Sequence, residues 1–562
     1  VTDTPNTALA LPSSPGCLRV LRGILAAAAL AVAAFALLPT GSARAAAPPG
    51  AADASLTLDL STDGSGGRIP SQFVGFSIEW SLIERYMNPA ARPAFANLLG
   101  NLGTGVLRIG GSSQDLMPFD PTAPNTLRVI TPEDLASIRA TLDSVNARTS
   151  RKGEAVAPWG TILGTALAPP EVERPWVGPE HARRFVEGVK QAFTGRSRRS
   201  VVSIGLGNEP DISYGYDLAR YLTDLQLYTG TARPFAIDVP STSEPIAPWQ
   251  SIFARSVPTR FFWDWPAILD AVAPATKAVR ASAGPATTDH FYPAARGCAT
   301  NEYRCATIER LLSDERAANL AFQVYSHAGE AARRGLDYRL GELNTAAGRG
   351  VDGVSNVAAS AVWALDTMFN AACPQPPDAP GANRDCATGA IGVNFHNSEV
   401  QHFFAPEEGN AFYNAIAFDP SPAAAAPVAA PEYYALLLFS RFAQDTHGLR
   451  PVAVDPAADE IKGWRVGGGS RPARLFLINK GLASRTLDVV IPGSRSVELH
   501  RMTPYDPAGL GRTLDAPQVR IDGRSVGPDG AWPGFAPSTS KLDHGRLRVT
   551  LDAGEALLVA PG

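Results

Sequence analysis

Between about residue 73 and residue 397 the apolar positions follow two alternating periods. Short runs rich in Val, Ile, Leu, Phe and Gly give way to turn residues. Stretches follow in which apolar residues recur every three or four positions. The short runs are 73–80 (FVGFSIEW), 105–113 (GVLRIGGSS), 161–168 (TILGTALA), 200–210 (SVVSIGLGNEP), 235–242 (FAIDVPST), 283–293 (AGPATTDHFYP), 338–345 (YRLGELNT) and 389–397 (GAIGVNFHN). Among the longer stretches, 181–193 spaces Phe185, Val189 and Phe193 four apart. The stretch 217–228 aligns Leu218, Tyr221, Leu222 and Leu225 on one stripe. Residues 355–369 read as a helix with Ser355 as its N-cap.

Eight strands alternating with helices predict an α/β fold, a parallel sheet closed as a (β/α)8 TIM barrel. An open doubly wound sheet is the rival. The barrel is preferred because polar residues end nearly all eight runs. In a barrel those ends converge on one mouth, whereas an open sheet spreads them along a line.

After about residue 445 the helical period disappears. RLFLINKG, RTLDVVIP, SVELHRMTP and RLRVTLDAGEALLVA alternate apolar and polar residues and are split by Gly, Pro and Asp, the pattern of a C-terminal antiparallel β-sandwich. An early run, 54–61 (ASLTLDLS), has no place among the eight barrel strands and is predicted to join that sandwich. TDGSGGRIP after it reads as a loop. The division is 1–45 signal peptide, 46–68 N-terminal strand segment, 69–445 catalytic barrel and 446–562 sandwich. SPAAAAPVAAP (421–431) reads as a surface loop of the barrel.

Composition adds location. Arg19 and Arg22 precede an apolar run, Gly23–Leu38, and small residues in SARAAAP follow, as in a secretory signal cut after Ala45. That run is short for a bilayer span, and no later run is long enough, so a secreted protein with no stable membrane span after signal removal is expected. Of five cysteines, Cys17 leaves with the signal. The other four allow three pairings, of which local closure, Cys298–Cys305 and Cys373–Cys386, is simplest. The 562 residues carry 19% charged side chains and a net charge of −4, which does not call for a polyanionic partner. The basic run GRSRRS (195–200) precedes the fourth strand, so it belongs to the barrel face opposite the mouth. No nucleic acid is expected. The cysteine and histidine spacings do not make a metal site, and no cofactor is expected. GRGVDG (348–353) has the GxGxxG spacing but comes late in the chain, far from its next strand, so dinucleotide binding is set aside.

Two carboxylates stand out. Glu209 follows the fourth strand in GLGNEP, and Glu342 follows the seventh in YRLGELNT, so both belong at the mouth. Cleaving a glycosidic bond with retention needs such a pair about 5–5.5 Å apart, one as acid then base and one as nucleophile. Asn208 beside Glu209 offers an amide to a sugar hydroxyl. His290, Asn394 and His396, at the ends of the sixth and eighth strands, are further candidates. Gly348 and Gly350 would let backbone N–H groups approach a substrate. The aromatic cluster 249–266 is either a sugar platform or packing.

GLGNEP at the fourth strand with a Glu ending the seventh resembles the retaining glycosidase clan with (β/α)8 barrels. With FVGFSIEW, LRIGGSSQD, DHFYP and PEYYALLLFSRF, the chain is similar over roughly residues 54–562 to glycoside hydrolase family 79, the heparanase and β-glucuronidase family. The resemblance implies Glu209 as acid/base and Glu342 as nucleophile. It also implies Asn208 on the sugar 2-hydroxyl, Tyr292 near the nucleophile, and Glu79 and Ser112 lining the sugar subsite. Family members that bind glucuronic acid carry Tyr-Gly-Gly shortly after the nucleophile. Here Gly348-Arg349-Gly350 occupies that stretch, and the Arg349 guanidinium is suited to pair with a carboxylate. The expected substrate is a β-linked glucuronide. The alternatives are a neutral β-glycoside, or a carbohydrate-binding barrel without catalysis.

Overall fold

The computed structural model describes residues 54–57, 66–126, 128–149, 158–167, 177–243, 263–277, 286–297, 305–375, 385–398, 411–418, 426–455, 460–468 and 471–562. Two short strands come first, β1 (Ala54–Thr57) and β2 (Gly67–Ile69). Eight parallel strands then close a barrel: β3 (Val74–Glu79), β4 (Gly105–Gly110), β5 (Trp159–Thr165), β6 (Val201–Leu206), β7 (Ala236–Thr242), β8 (Ala286–Phe291), β9 (Asp337–Leu343) and β10 (Val393–Asn397). They follow one another in chain order, with β10 paired back to β3.

Burial on both faces explains why these strands read as apolar runs rather than strict alternations. Ile78, Leu107, Ile109, Leu163, Ile204, Val239, Leu340 and Phe395 form part of one core with the surrounding helices. Helix Pro179–Ala192 carries Phe185, Val186 and Val189 into it, starting on a proline whose missing N–H is no loss at a first turn. Helix Ala358–Ala372 begins later than its pattern predicts, and Ser355 does not cap it. The Ser355 hydroxyl instead accepts from Val351 N at 2.9 Å and from Thr345 Oγ1 at 2.7 Å, tying down the loop after β9. That helix is buried along nearly its whole length, so packing rather than a cap sets where it starts.

The C-terminal strands form two sheets. One joins β1, Arg485–Val490 and Arg546–Leu551. β1 runs parallel to its neighbour, with Leu56 opposite Val489. The larger sheet includes Ser496–Tyr505, Ala556–Pro561, Arg471–Asn479, Ile461–Gly468 and Thr446–Val452, and it ends on β2. Gly67–Ile69, expected as part of a loop, is therefore an edge strand, paired antiparallel to Thr446–Val452. Three residues are too few for a period to show. Val428–Ala429, inside the expected loop 421–431, likewise pairs with Ile416–Ala417. Leu475, Leu477, Leu487, Val489, Leu547, Val549, Leu557 and Val559 fill the sandwich. Trp464 and Phe476 of the larger sheet meet Phe369 of the barrel at ring distances of 5.3 and 5.0 Å.

Cys373 and Cys386 are bridged, with Cα atoms 4.6 Å apart. Cys298, the expected signal peptide and 249–262 of the aromatic cluster lie outside the described residues. Among those described, no helix is long and apolar enough to cross a membrane.

Candidate active site

β6 ends at Leu206, and the next three residues turn sharply. Gly207 has φ 82°, a left-handed conformation, and a Cβ there would lie 3.0 Å from Leu167 Cβ. Glu209 is itself left-handed, φ 46° and ψ 52°, with its N–H donated to Ser241 O at 2.9 Å. Such a residue costs about 1–3 kcal/mol and persists only where its surroundings hold it. Pro210 opens a one-turn helix, Pro210–Ser213.

Glu342 faces inward for a different reason. On β9, Leu340 pairs with Val393 and Leu343 with Phe395, so three residues of β9 are spanned by two of β10. On the other side Leu340 pairs with Asp289 and Glu342 with His290, again one extra residue on β9. This β-bulge reverses the alternation between Leu340 and Glu342 and turns the carboxylate into the barrel. Gly341 permits it, since a Cβ there would sit 2.0 Å from Thr288 Oγ1. Gly341→Ala is expected to destabilise the fold by about 1–3 kcal/mol. Chemical denaturation checks this, and an unchanged midpoint would contradict the bulge as the reason for the glycine.

The two carboxylates meet at the mouth. One oxygen of Glu209, one of Glu342 and a ring nitrogen of His290 all lie within 4.8 Å of one another. Glu342 is buried and fully engaged: Arg108 Nη1 donates to Oε2 at 2.7 Å and Tyr292 Oη to Oε1 at 2.7 Å. Glu209 is the more exposed, its side chain 18% accessible, and His290 Nδ1 lies 2.8 Å from its Oε1. Arg108 also donates from Nη2 to Asn208 Oδ1 at 2.7 Å and from Nη1 to Ser77 Oγ at 2.8 Å. Asp115 accepts the Asn208 N–H at 3.3 Å. Asn208 is thus fixed from both sides with its amide nitrogen directed elsewhere.

A second arm runs through His396. Its Nδ1 lies 3.6 Å from Glu342 Oε2 and 3.2 Å from Ser77 Oγ, and its Nε2 lies 3.5 Å from Glu79 Oε1. Burial opposes charge on His396, but Glu342 and Glu79 outweigh it and raise the imidazole above its ordinary range. Burial likewise works to raise both carboxyls. For Glu342, His396 and Arg108, with the Tyr292 hydrogen bond, prevail and hold it far below the usual carboxylate range. For Glu79, His396 and Ser113 prevail and lower it. Glu342 is therefore held as an anion near neutral pH.

Other sequence candidates fall in different places. The Ser112 side chain is exposed, and only its backbone N–H reaches Glu79, at 3.2 Å. Its neighbour Ser113 makes the closer contacts, donating N–H and hydroxyl to Glu79 Oε2. Asn394 is not brought to the carboxylates. Its Nδ2 donates to Phe76 O and Val106 O deeper in the barrel, and its Oδ1 accepts from Arg339. Gly348, Arg349 and Gly350 all have positive φ and form a turn whose Arg349 carbonyl accepts from Phe412 N, placing it beside Tyr413. Tyr413 lines the site with its ring 6.3 Å from Tyr292 and 5.8 Å from His396. The Arg349 side chain is buried, within electrostatic reach of Tyr413. The helix that follows begins only at Ala358, so the Gly348–Gly353 run does not open one. Trp263 and Trp265 are packing residues: the first donates to Tyr216 O, the second stacks on His327.

Arg108, Ser113, Asp115 and Tyr413 are absent from the sequence candidates. Only Arg108 left a readable signal, as a lone cation inside a strand buried throughout, where a charge needs a partner.

Chemically, a buried anion 4.8 Å or less from a more exposed carboxyl suits double displacement. Glu209, His290 and Glu342 are also donor types for a divalent cation, but Arg108 in direct contact with Glu342 opposes a second cation there. No protein-family model and no curated protein matches the chain. Among solved structures it is similar to a 4-O-α-L-rhamnosyl-β-D-glucuronidase from Fusarium oxysporum, at 17% identity and TM-score 0.63, over 90% of this chain and 100% of that one. It is also similar to a GH51 arabinofuranosidase from Xanthomonas axonopodis pv. citri (12%, 0.58, 91% and 99%) and a β-xylosidase from Caulobacter crescentus (11%, 0.54, 90% and 99%). At these identities the likeness is one of fold: a (β/α)8 barrel shared with glycoside hydrolases.

Proposed function

We propose that the chain is a retaining β-glycosidase acting by double displacement, with Glu342 as nucleophile and Glu209 as acid/base. The observation that carries this is the asymmetric carboxylate pair. Glu342 is ionised and oriented by Arg108 and Tyr292, while Glu209 lies across a gap of at most 4.8 Å with access to the mouth. In the first step Glu342 Oε attacks the anomeric carbon as the leaving oxygen takes a proton from Glu209. In the second, Glu209 removes a proton from water, which attacks the same carbon and returns Glu342 as a carboxylate.

For the sugar, a β-linked glucuronide is favoured, in keeping with the resemblance to glycoside hydrolase family 79. Support comes from the fold shared with the rhamnosyl-glucuronidase and from Arg349, a buried guanidinium in the turn after the nucleophile strand. Export is part of the reading, and the Cys373–Cys386 bridge suits an oxidising compartment. The test is turnover of chromogenic β-glucuronide, β-glucoside, β-galactoside and β-xyloside side by side. Preference for the glucuronide supports the whole reading, and preference for another sugar overturns the substrate alone. No turnover of any glycoside favours a binding barrel.

The His396 arm makes a pH prediction. Activity needs Glu342 ionised, and a neighbouring imidazolium helps to hold it so. Removing that cation in His396→Gln raises the Glu342 carboxyl, so the acid limb of kcat/KM is expected to move to higher pH. A limb that stays in place, or moves down, would contradict the assignment.

A further inference from the structure

Beneath the mouth the barrel interior is unusually polar. Strand register fixes which residues face in. Arg108 pairs with Ile162, Ile162 with Ser203, and Ser203 with Ala236, so all share the inner face. One step on, Gly164 pairs with Gly205 and Gly205 with Asp238. Thr288 pairs with Pro240 and with Arg339. Where barrels of this type carry mostly branched apolar side chains, this one carries Ser203, Asp238, Thr288, Arg339 and glycines beside Ile162.

Asp238 is completely buried, yet neither of its oxygens has a hydrogen-bond partner among the described residues. Ser203 Oγ, Thr288 Oγ1 and His290 Nε2, from β6 and β8 on either side of β7, likewise have no hydrogen-bond partner among the described residues. The groups facing Asp238 are the guanidiniums of Arg108 on β4 and Arg339 on β9 and the imidazole of His290 on β8. A Cβ added at Gly205, the β6 partner of Asp238, would make only ordinary contacts, with Gly164 Cα at 3.5 Å and Ile162 Cγ2 at 3.8 Å, so a methyl group would fit at this point of the inner wall. Clustered buried polar atoms without partners are where ordered internal water is found, since each otherwise forfeits its hydrogen bond.

We infer that Asp238 is a positioning residue for Glu209: through ordered water it accepts from Nε2–H of His290 and so sets which nitrogen of that imidazole carries the proton. The consequence falls on Glu209. A neutral His290 with its proton on Nε2 presents Nδ1 as a bare acceptor, 2.8 Å from Glu209 Oε1. An acceptor at that distance favours a protonated carboxyl over an ionised one. A general acid needs that state before it gives its proton away, and a base returns to it afterwards. The opposite tautomer would donate Nδ1–H and stabilise the carboxylate. Burial pushes the Asp238 carboxyl up to about 6, against the pull of Arg108 and Arg339, so it is mainly ionised at pH 7 and above. The role as acid/base support rests on the glycosidase reading. The link between Asp238 and His290 does not.

Two measurements test this. The first is the pH profile of Asp238→Asn on the best substrate of the panel. Removing an anion from beside His290 lets Glu209 lose its proton more readily. The basic limb of kcat/KM is expected to move to lower pH by about one unit, with the loss greatest for poor leaving groups. An unmoved limb with only a lower ceiling or lower thermal stability would reduce Asp238 to a structural role and overturn the inference. The second is a high-resolution crystal structure of the wild-type chain. Water bridging Asp238 and His290 Nε2 is expected, and a dry contact or separate unlinked sites would overturn the link. Should no glycoside be turned over, the glycosidase reading fails, and the crystal structure still decides whether Asp238 governs His290.

Discussion

Glu342→Ala is expected to lower kcat/KM at least about a thousandfold on every glycoside the wild type cleaves. The reason is chemical. Glu342 is held as an anion beside His396 and Arg108, with a hydrogen bond from the Tyr292 hydroxyl, and in the proposed mechanism the first bond cannot form without it. Alanine leaves a small space in which azide can take the carboxylate's place. Azide at high concentration should restore turnover with a good leaving group and give the glycosyl azide of inverted configuration. A rescued product of retained configuration, or activity within tenfold of wild type, would remove Glu342 from that role. Circular dichroism of the variant separates lost chemistry from lost fold. The control matters because taking one partner from a buried ion pair such as Arg108–Glu342 typically costs about 3–5 kcal/mol.

The second large effect depends on the substrate. Glu209→Gln keeps the shape of the side chain and cannot supply a proton. General acid assistance is worth about a hundredfold to ten-thousandfold, so losses near that upper figure are expected for alkyl glycosides, whose leaving groups must be protonated. For an activated aryl glycoside the first step needs little help. The covalent intermediate should then accumulate, because water no longer meets a base, and a burst of phenol should precede a slow steady state. Equal losses for good and poor leaving groups would contradict the acid/base assignment. Glu209 is half-buried and joined to the fold by few contacts, so little loss of stability is expected.

Much of this was legible in the sequence. All eight barrel strands overlap their predicted runs, because each is buried on both faces and so reads as a dense apolar segment between turns. Glu209 and Glu342 were visible because a carboxylate at the end of such a run has to be either solvated or put to use. Other features had no local signature. The bulge at Gly341 is a relation between β9 and both its neighbours, and periodicity along β9 alone would place Glu342 on the outer face with Leu340. Ser112 and Ser113 are indistinguishable in sequence, and only the turn after Gly110 decides which of them embraces Glu79. Asn394 ends a strand run as His396 does, but a step of two residues along β10 takes it from the mouth into the barrel. Tyr413 reaches the site from a segment with no strand or helix pattern of its own.

The most direct test is chemical trapping. A 2-deoxy-2-fluoro glycosyl fluoride of the preferred sugar slows the second step more than the first, so a covalent glycosyl-enzyme should persist. Peptide mass spectrometry is predicted to find one sugar per chain, on the peptide containing Glu342 and lost in Glu342→Ala. A label on Glu209, or hydrolysis that inverts the anomeric centre without any adduct, would contradict the assignment of the two glutamates.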